Sequence, residues 1–242
     1  MIRIKASPDC TFHLEMVELA MDLIHVLITP FDASDKDRVC VTMLSIRVFN
    51  GLAAAIKLSL SGYYQSAASQ LRDVLETSFI LDYFTTDPAA IADWRTLPEK
   101  DHRKKFSPFE IRKALDKRDK ISKSNRDEAY TMFSRLAAHP TPAGTAMIMP
   151  VRGAGIMHCG PFLENEGLTS VLSEMALCAV EAGIFVRRLL GCYNNLEQLR
   201  VSIQFNEAHG RWFEQFFAVP VDHDNLELMK QMLAEAEERG HI

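Results

Sequence analysis

Five polar side chains recur at helical spacing between residues 65 and 83, and they are the strongest candidates for chemistry in this sequence. Gln65, Ser69, Arg72, Glu76 and Tyr83 are three, four or seven residues apart, so they share one face of an α-helix. Partly buried charges persist in a fold only when they are paired or hydrogen-bonded. Two interpretations stay open: an ion pair between Arg72 and Glu76 that fixes helix register, which is the more common role, and the wall of a polar ligand-binding recess.

A histidine marks the end of a second helical segment. His139 precedes Pro140, which disfavours helical geometry at His139, and Tyr130, Ser134 and Arg135 lie on the preceding turns. An imidazole titrates near neutral pH and can serve as an acid or a base. A histidine at a helix end also complements the helix dipole, and for one histidine this capping role is the more common one.

We therefore predict that five side chains from both segments bind a ligand in one recess. The expected ligand-binding residues are Gln65, Arg72, Glu76, Tyr130 and His139. The sequence lacks the two Glu-x-x-His tetrapeptides that a di-iron bundle needs, and it has no phosphate-binding loop and no Gly-x-Ser-x-Gly elbow. Neither a metal nor a cofactor is predicted.

The composition is that of a soluble globular protein. Of 242 residues, 48% are apolar and 24% charged, and no glycine-serine linker divides the chain, so we predict one domain over residues 1–242. The longest stretch without a charged residue, 136–151, is too short to cross a bilayer, and the amino terminus lacks the features of a secretory signal. The sequence therefore predicts a cytoplasmic protein with no membrane association.

Helix signals recur along most of the chain and predict an all-α bundle of seven to eight helices. Ser107-Pro108-Phe109-Glu110 is the clearest helix start, with a capping serine and a proline in the first turn. The segment 34–60 is apolar on nearly every side, which is typical of a central, buried helix, and it should form an antiparallel hairpin with the helix that follows. Residues 140–166 are rich in Pro and Gly and contain two short apolar runs, 147–151 and 156–159. This pattern predicts a small β-hairpin or a long loop.

The net charge of −5 conceals a basic segment at residues 100–126. Its lysines and arginines could contact RNA phosphates. Acidic residues are interleaved with them, and a solvated helix with i,i+4 ion pairs has the same pattern. The second interpretation is favoured.

Several short motifs resemble those of a large family of uncharacterised bacterial helical proteins. They are Tyr63-Tyr64 with Arg72 to Glu76, Asp87-Pro88, Tyr130-x3-Ser134-x4-His139-Pro140, and Gly160-Pro161-Phe162. That family is similar in outline to HEPN (higher eukaryote and prokaryote nucleotide-binding) bundles, some of which are metal-independent ribonucleases. Their active sites hold an Arg and a His separated by four to six residues, whereas three residues separate Arg135 from His139.

The resemblance implies a helical bundle and a homodimer, and it makes Arg135 and His139 the candidate catalytic residues of a ribonuclease. From the residues alone, a helical binding or interaction module is the better expectation than an enzyme. The aromatic segment 212–217 is a candidate dimer surface, and burial in its own core is an equal alternative.

Overall fold

The chain is all-α. A computed structural model describes residues 7–29, 32–122, 125–148, 160–191, 195–220 and 223–238. These residues contain ten α-helices of eight residues or more: α1 (Pro8–Ile28), α2 (Lys36–Leu60), α3 (Tyr64–Thr86), α4 (Ala89–Thr96), α5 (Glu99–Phe106), α6 (Pro108–Asp119), α7 (Asn125–Phe133), α8 (Asn165–Leu190), α9 (Leu196–Phe217) and α10 (His223–Glu238).

The predicted count of seven to eight helices was too low. Helix α5 is the clearest addition, because it has almost no apolar periodicity: Phe106 is its one buried side chain. Ion pairs between its own residues support it instead, such as Arg103 with Glu99 at 2.6 Å. A helix of this kind looks like a charged loop to any argument based on apolar spacing.

The predicted β-hairpin is not seen, and the described residues contain no strand. Pro142–Thr145 form a single α-helical turn, and Ala146–Ile148 form a 3-10 turn that includes the first two residues of the apolar run 147–151, where a strand was predicted. The Thr141 hydroxyl accepts a hydrogen bond from the amide of Gly144 at 3.0 Å and so caps the turn. Residues 149–159, which contain the rest of the first apolar run and all of the second, 156–159, lie outside the described residues.

Helix starts follow the sequence signals closely. Ser107 accepts a hydrogen bond from the amide of Glu110 at the start of α6, as predicted. At the start of α2 the cap is Asp35, which accepts from the amides of Asp37 and Arg38, and the adjacent Ser34 bonds to Asp32 instead. A single oxygen of this carboxylate, Asp35 Oδ1, accepts from both amides.

Helices α1, α2, α3 and α8 form the core bundle. Helix α3 lies between two layers, because it packs against α2 and α8 on one side and against α6, α7 and the turn after α7 on the other. Fully buried side chains fill the first interface, including Leu52, Leu71, Leu172 and Met175. Helices α2 and α3 pack as the predicted hairpin.

The turn between α2 and α3 depends on Gly62, which has a positive φ of +82°. A Cβ atom at this position would lie 2.3 Å from the carbonyl oxygen of Phe162. The amide of Phe162 in turn donates to the Gly62 carbonyl oxygen at 3.3 Å, so the chain entering α8 packs directly on this turn. Glycine is required for both the backbone angle and the close approach.

Helix α9 packs on α1, and α10 packs on α9. Trp212 of α9 is fully buried and donates a hydrogen bond from Nε1 to His13 Nδ1 at 3.0 Å. Its side chain therefore belongs to the core, while Phe217 at the end of α9 is 43% exposed. Helix α10 is held by a small separate core of Leu199, Ile203, Leu226 and Met229.

Two helices of the described residues, α2 and α8, are long and apolar enough to cross a membrane by length and composition. The core helices of soluble proteins meet the same criterion, so this finding does not indicate a location.

Candidate functional site

The polar stripe on α3 holds the segment that follows α7. Gln65 Nε2 donates hydrogen bonds to the carbonyl oxygens of Leu136 at 3.1 Å and Gly144 at 2.9 Å. Ser69 Oγ donates to the carbonyl oxygen of Ala137 at 3.0 Å. The first half of the stripe therefore binds the protein's own backbone.

These carbonyl groups are available because the chain widens into a π-helical turn at Ser134–Ala138. The amide of His139 donates to the carbonyl oxygen of Ser134, five residues back, at 3.1 Å. A π-turn at a helix end leaves carbonyl oxygens without intrahelical donors. The side chains of Gln65 and Ser69 supply the missing donors.

The second half of the stripe is an ionic cluster. Arg72 Nη2 lies 2.7 Å from Glu76 Oε1 and donates to the Tyr130 hydroxyl at 2.8 Å, and Arg72 Nε donates to Ser134 Oγ at 3.0 Å. Both charged side chains are about one quarter exposed. Burial raises the pKa of Glu76, and the neighbouring Arg72 opposes that rise.

Sequence reasoning missed Arg112, a fifth member of this cluster. Its guanidinium lies over the Tyr130 ring at 3.8 Å from the centroid, and Arg72 lies 5.0 Å from the same centroid. Arg112 is 6% exposed and pairs with Asp127 at 3.0 Å. Its Nε and Nη1 groups are buried without a hydrogen-bond partner among the described residues. The only sequence signal was its place in the basic segment.

The remaining predicted residues lie at the surface or have other partners. His139 and Arg135 are exposed on the π-turn, and the cluster's hydrogen bonds use Ser134 and Tyr130 instead. Tyr83, at the far end of the stripe, donates to Asp87 at 3.3 Å. The structure thus joins Gln65, Ser69 and Arg72 of α3 to α7 and the π-turn by hydrogen bonds, and Arg72 also pairs with Glu76.

Several cations of the basic segment 100–126 are held in ion pairs. Arg118 and Arg126 surround Asp82, which is 1% exposed, and both also bind Asp119. Lys105 pairs with Asp93 at 2.7 Å. Charges held in this way contribute less to binding a phosphate backbone than solvated ones.

A second candidate site lies where α8, α9 and α10 meet. A cavity of about 260 Å³ opens here, named the α8–α10 cavity, and its polar lining comes from Arg187, Arg188, Asn206 and His209. Asn225 also lines the cavity, its apolar lining includes Ile184, Phe213 and Leu226, and none of its lining residues among those described is acidic. It combines an apolar interior with a few convergent polar groups, which is typical of ligand sites.

Hydrogen bonds orient the polar groups of the α8–α10 cavity. Arg187 Nη1 donates to Asn206 Oδ1 at 2.7 Å, and Asn206 Nδ2 donates to Met229 Sδ at 3.0 Å. His209 is stacked on Phe205 and meets Phe213 edge to face. Burial lowers the pKa of His209, and the positive charge of Arg187 lowers it further. The imidazole Nε2 is buried without a hydrogen-bond partner among the described residues.

Sequence reasoning also missed this cavity. His209 lies at i+4 from Phe205 and i−4 from Phe213, a spacing typical of core packing, and Arg187-Arg188 end an apolar helix as cations commonly do. The residues become a site only because α10 returns across them.

Within the described residues, no group of three or more His, Cys, Asp or Glu side chains is placed to hold a metal ion. No family model, curated protein or solved structure matches the chain.

Proposed function

We propose that this protein is a binding protein for a small organic anion and that the ligand occupies the α8–α10 cavity. The observation that carries the proposal is the convergence of Arg187, Arg188 and Asn206 on one cavity whose described lining includes no carboxylate. An anionic group placed there is attracted by the positive charges of Arg187 and Arg188.

The apolar lining favours a ligand with a hydrophobic body. Ile184, Phe213 and Leu226 offer aliphatic and aromatic surface beside the arginines. A volume of about 260 Å³ is slightly below the roughly 300–1,000 Å³ of drug-sized pockets, so the ligand is small. Aryl or short-chain alkyl carboxylates and phosphate monoesters have the required chemistry.

Calorimetric titration with benzoate, octanoate and phenyl phosphate tests this function. We expect at least one of these anions to bind the purified chain, with benzyl alcohol showing no binding. Arg188→Gln should weaken binding by tenfold or more, because an ionic hydrogen bond is worth about 1.5–3 kcal/mol. The control Arg200→Gln removes a surface pair with Glu237 and should bind as the wild type does. If none of the anions binds at millimolar concentration, the proposal is wrong.

A metal-independent ribonuclease is the alternative, and the exposure of both Arg135 and His139 on the π-turn favours it. Incubating the pure chain with single-stranded RNA tests it. Cleavage that is lost in His139→Ala would support the alternative, whereas intact RNA would remove it.

A further inference from the structure

His209 is the one side chain of the α8–α10 cavity, among its described lining residues, that can change its charge near neutral pH. Its imidazole lies between the aromatic rings of Phe205 and Phe213, with ring centroids 5.8 and 4.6 Å away. It lines the same cavity as Arg187 and Arg188, whose positive charges do not change in this pH range. The charge of the cavity therefore depends on this histidine.

The surroundings of His209 favour its neutral form. Both ring nitrogens of a histidine cation donate hydrogen bonds. The Nε2 atom is buried without a hydrogen-bond partner among the described residues, so no carboxylate or carbonyl oxygen there accepts a proton from it. Burial between aromatic rings also disfavours a charge, and both effects lower the stability of the imidazolium.

The charges around the imidazole act in the same direction. Arg187 on α8 lowers the pKa of His209, and no acidic side chain among the described residues opposes that effect. Arg188, also on α8, lines the same cavity. The nearest acid along α9, Glu207, pairs instead with Lys230 of α10 at 2.9 Å. What the imidazolium lacks is a negative charge inside the cavity.

We propose that His209 takes up a proton when an organic anion binds in the α8–α10 cavity, so that binding becomes tighter as the pH falls. The inference rests on the proposed function and adds the regulation of that same site. A bound anion offsets the positive charge of Arg187 and attracts the imidazolium. Coulomb attraction extends over several ångströms, so the anion does not need to touch Nε2.

The direction of the pH effect follows from thermodynamic linkage. A ligand that favours the protonated imidazole is itself bound more tightly by the protonated chain, by the same factor. Affinity is constant at high pH, where His209 is neutral with or without ligand. It rises as the pH falls through the pKa of His209 in the complex, and it levels off below the pKa in the free chain.

NMR titration of the histidine ring protons measures the pKa of His209 directly. The signal is assigned by its loss in His209→Gln. Saturating benzoate, octanoate or phenyl phosphate should change the acid dissociation constant of His209 by about tenfold or more, in the direction of a higher pKa. In the chain without ligand, Arg187→Gln should also raise this pKa, because it removes the neighbouring positive charge.

Calorimetric titration with benzoate and octanoate between about pH 6 and pH 8.5 measures the consequence for binding. Carboxylic acids have pKa values of about 4, so both ligands stay ionised over this range and the pH dependence belongs to the protein. We expect tighter binding at the lower pH, and two buffers of different ionisation enthalpy should reveal proton uptake. In His209→Gln the affinity should no longer depend on pH. The control His25→Gln, at an exposed position on α1, should keep the wild-type dependence.

The outcomes separate this inference from the proposed function. Anions that bind while the pKa of His209 stays the same or falls would overturn the inference and leave the proposed function intact. If no anion binds at millimolar concentration, both are wrong. An unchanged pKa of His209 in ligand-free Arg187→Gln would also overturn the inference, since the two side chains would then not interact.

Discussion

Single residues in this protein act mainly by satisfying backbone groups that the fold leaves open. Gln65 and Ser69 donate to carbonyl oxygens of the π-turn, and Tyr64 bonds to the backbone of Glu164. Arg72 donates hydrogen bonds to the side-chain oxygens of Tyr130 and Ser134. The stripe on α3 is therefore the binding surface for another part of the same chain.

The substitution Gly62→Ala should destabilise the fold more than Gly160→Ala. Both glycines have positive φ, which costs a residue with a Cβ about 1–2 kcal/mol. A Cβ on Gly62 would also collide with the backbone of Phe162, whereas nothing lies within 4 Å of one on Gly160. Urea unfolding of the two variants measures the difference. Equal free energies of unfolding would show that the contact with Phe162 relaxes without cost.

Protonation of His13 should weaken the folded state below neutral pH. Burial lowers the pKa of His13, so the unfolded chain binds a proton more readily than the folded one. Stability then falls as the pH drops below about 6.5, the pKa of a histidine in the unfolded chain. Protonation of Nδ1 would also remove the acceptor that Trp212 uses.

The measurement is the free energy of unfolding between pH 5 and pH 8, followed by tryptophan fluorescence. Below pH 7, the free energy of unfolding should depend less steeply on pH in His13→Asn than in the wild type. This expectation holds whatever the substitution does to stability at pH 8. The remaining slope includes His209, whose pKa burial also lowers. A slope identical to that of the wild type would contradict the prediction.

At the scale of secondary-structure elements, the helices and turns differ in the interactions that stabilise their positions. Helices α1, α2, α3 and α8 share one apolar core. The segment after α7 is attached to α3 by polar contacts in addition to the packing of Ala137 and Met147 on that core. Polar attachment of this kind is directional, so it fixes one register for the π-turn where apolar packing would permit several.

Removing the Gln65 amide should loosen the π-turn. Gln65→Leu deletes two hydrogen bonds, each worth about 0.5–1.5 kcal/mol, and leaves two carbonyl oxygens without a donor. Hydrogen exchange of the amides in residues 134–145 should become faster, while exchange in α8 stays unchanged. Gln204→Leu, at an exposed position on α9, is the control. Unchanged exchange in residues 134–145 would show that apolar contacts hold the turn.

At the scale of the whole molecule, the described residues contain two apolar cores of very different size. The main core includes residues from α1 through α9, and the small one joins α9 to α10. The α8–α10 cavity lies beside the small core, because Leu226 belongs to both. The stability of α10 and the integrity of the cavity are therefore linked.

Met229→Ala should release α10 without unfolding the bundle. A buried Met→Ala change costs about 2–5 kcal/mol, which is large against a core of four buried side chains. Hydrogen exchange should accelerate throughout α10 while the core of α3 stays protected. Leu52→Ala, in the main core, should instead lower protection in all helices together. Equal protection of α10 in both variants would show that it unfolds with the rest of the chain.

The sequence by itself determined the helical class and most helix starts, because capping residues and prolines act within one or two turns and leave a local signature. It also determined that the polar residues of α3 share one face of the helix and that Arg72 pairs with Glu76. Local spacing is sufficient for these features, since i,i+4 neighbours meet in any helix.

Only the tertiary structure decided what that polar face contacts, that Arg112 stacks on Tyr130, and that His209 and Arg187 line one cavity. Helix α5 and the turn at Pro142–Thr145 were also not predicted. Neither has apolar residues at helical spacing, because ion pairs stabilise α5 and a threonine cap stabilises the turn. The physical reason is the same in each case. Side chains far apart in sequence are brought together by helix packing, and packing depends on the shape of the whole core, which no local pattern encodes.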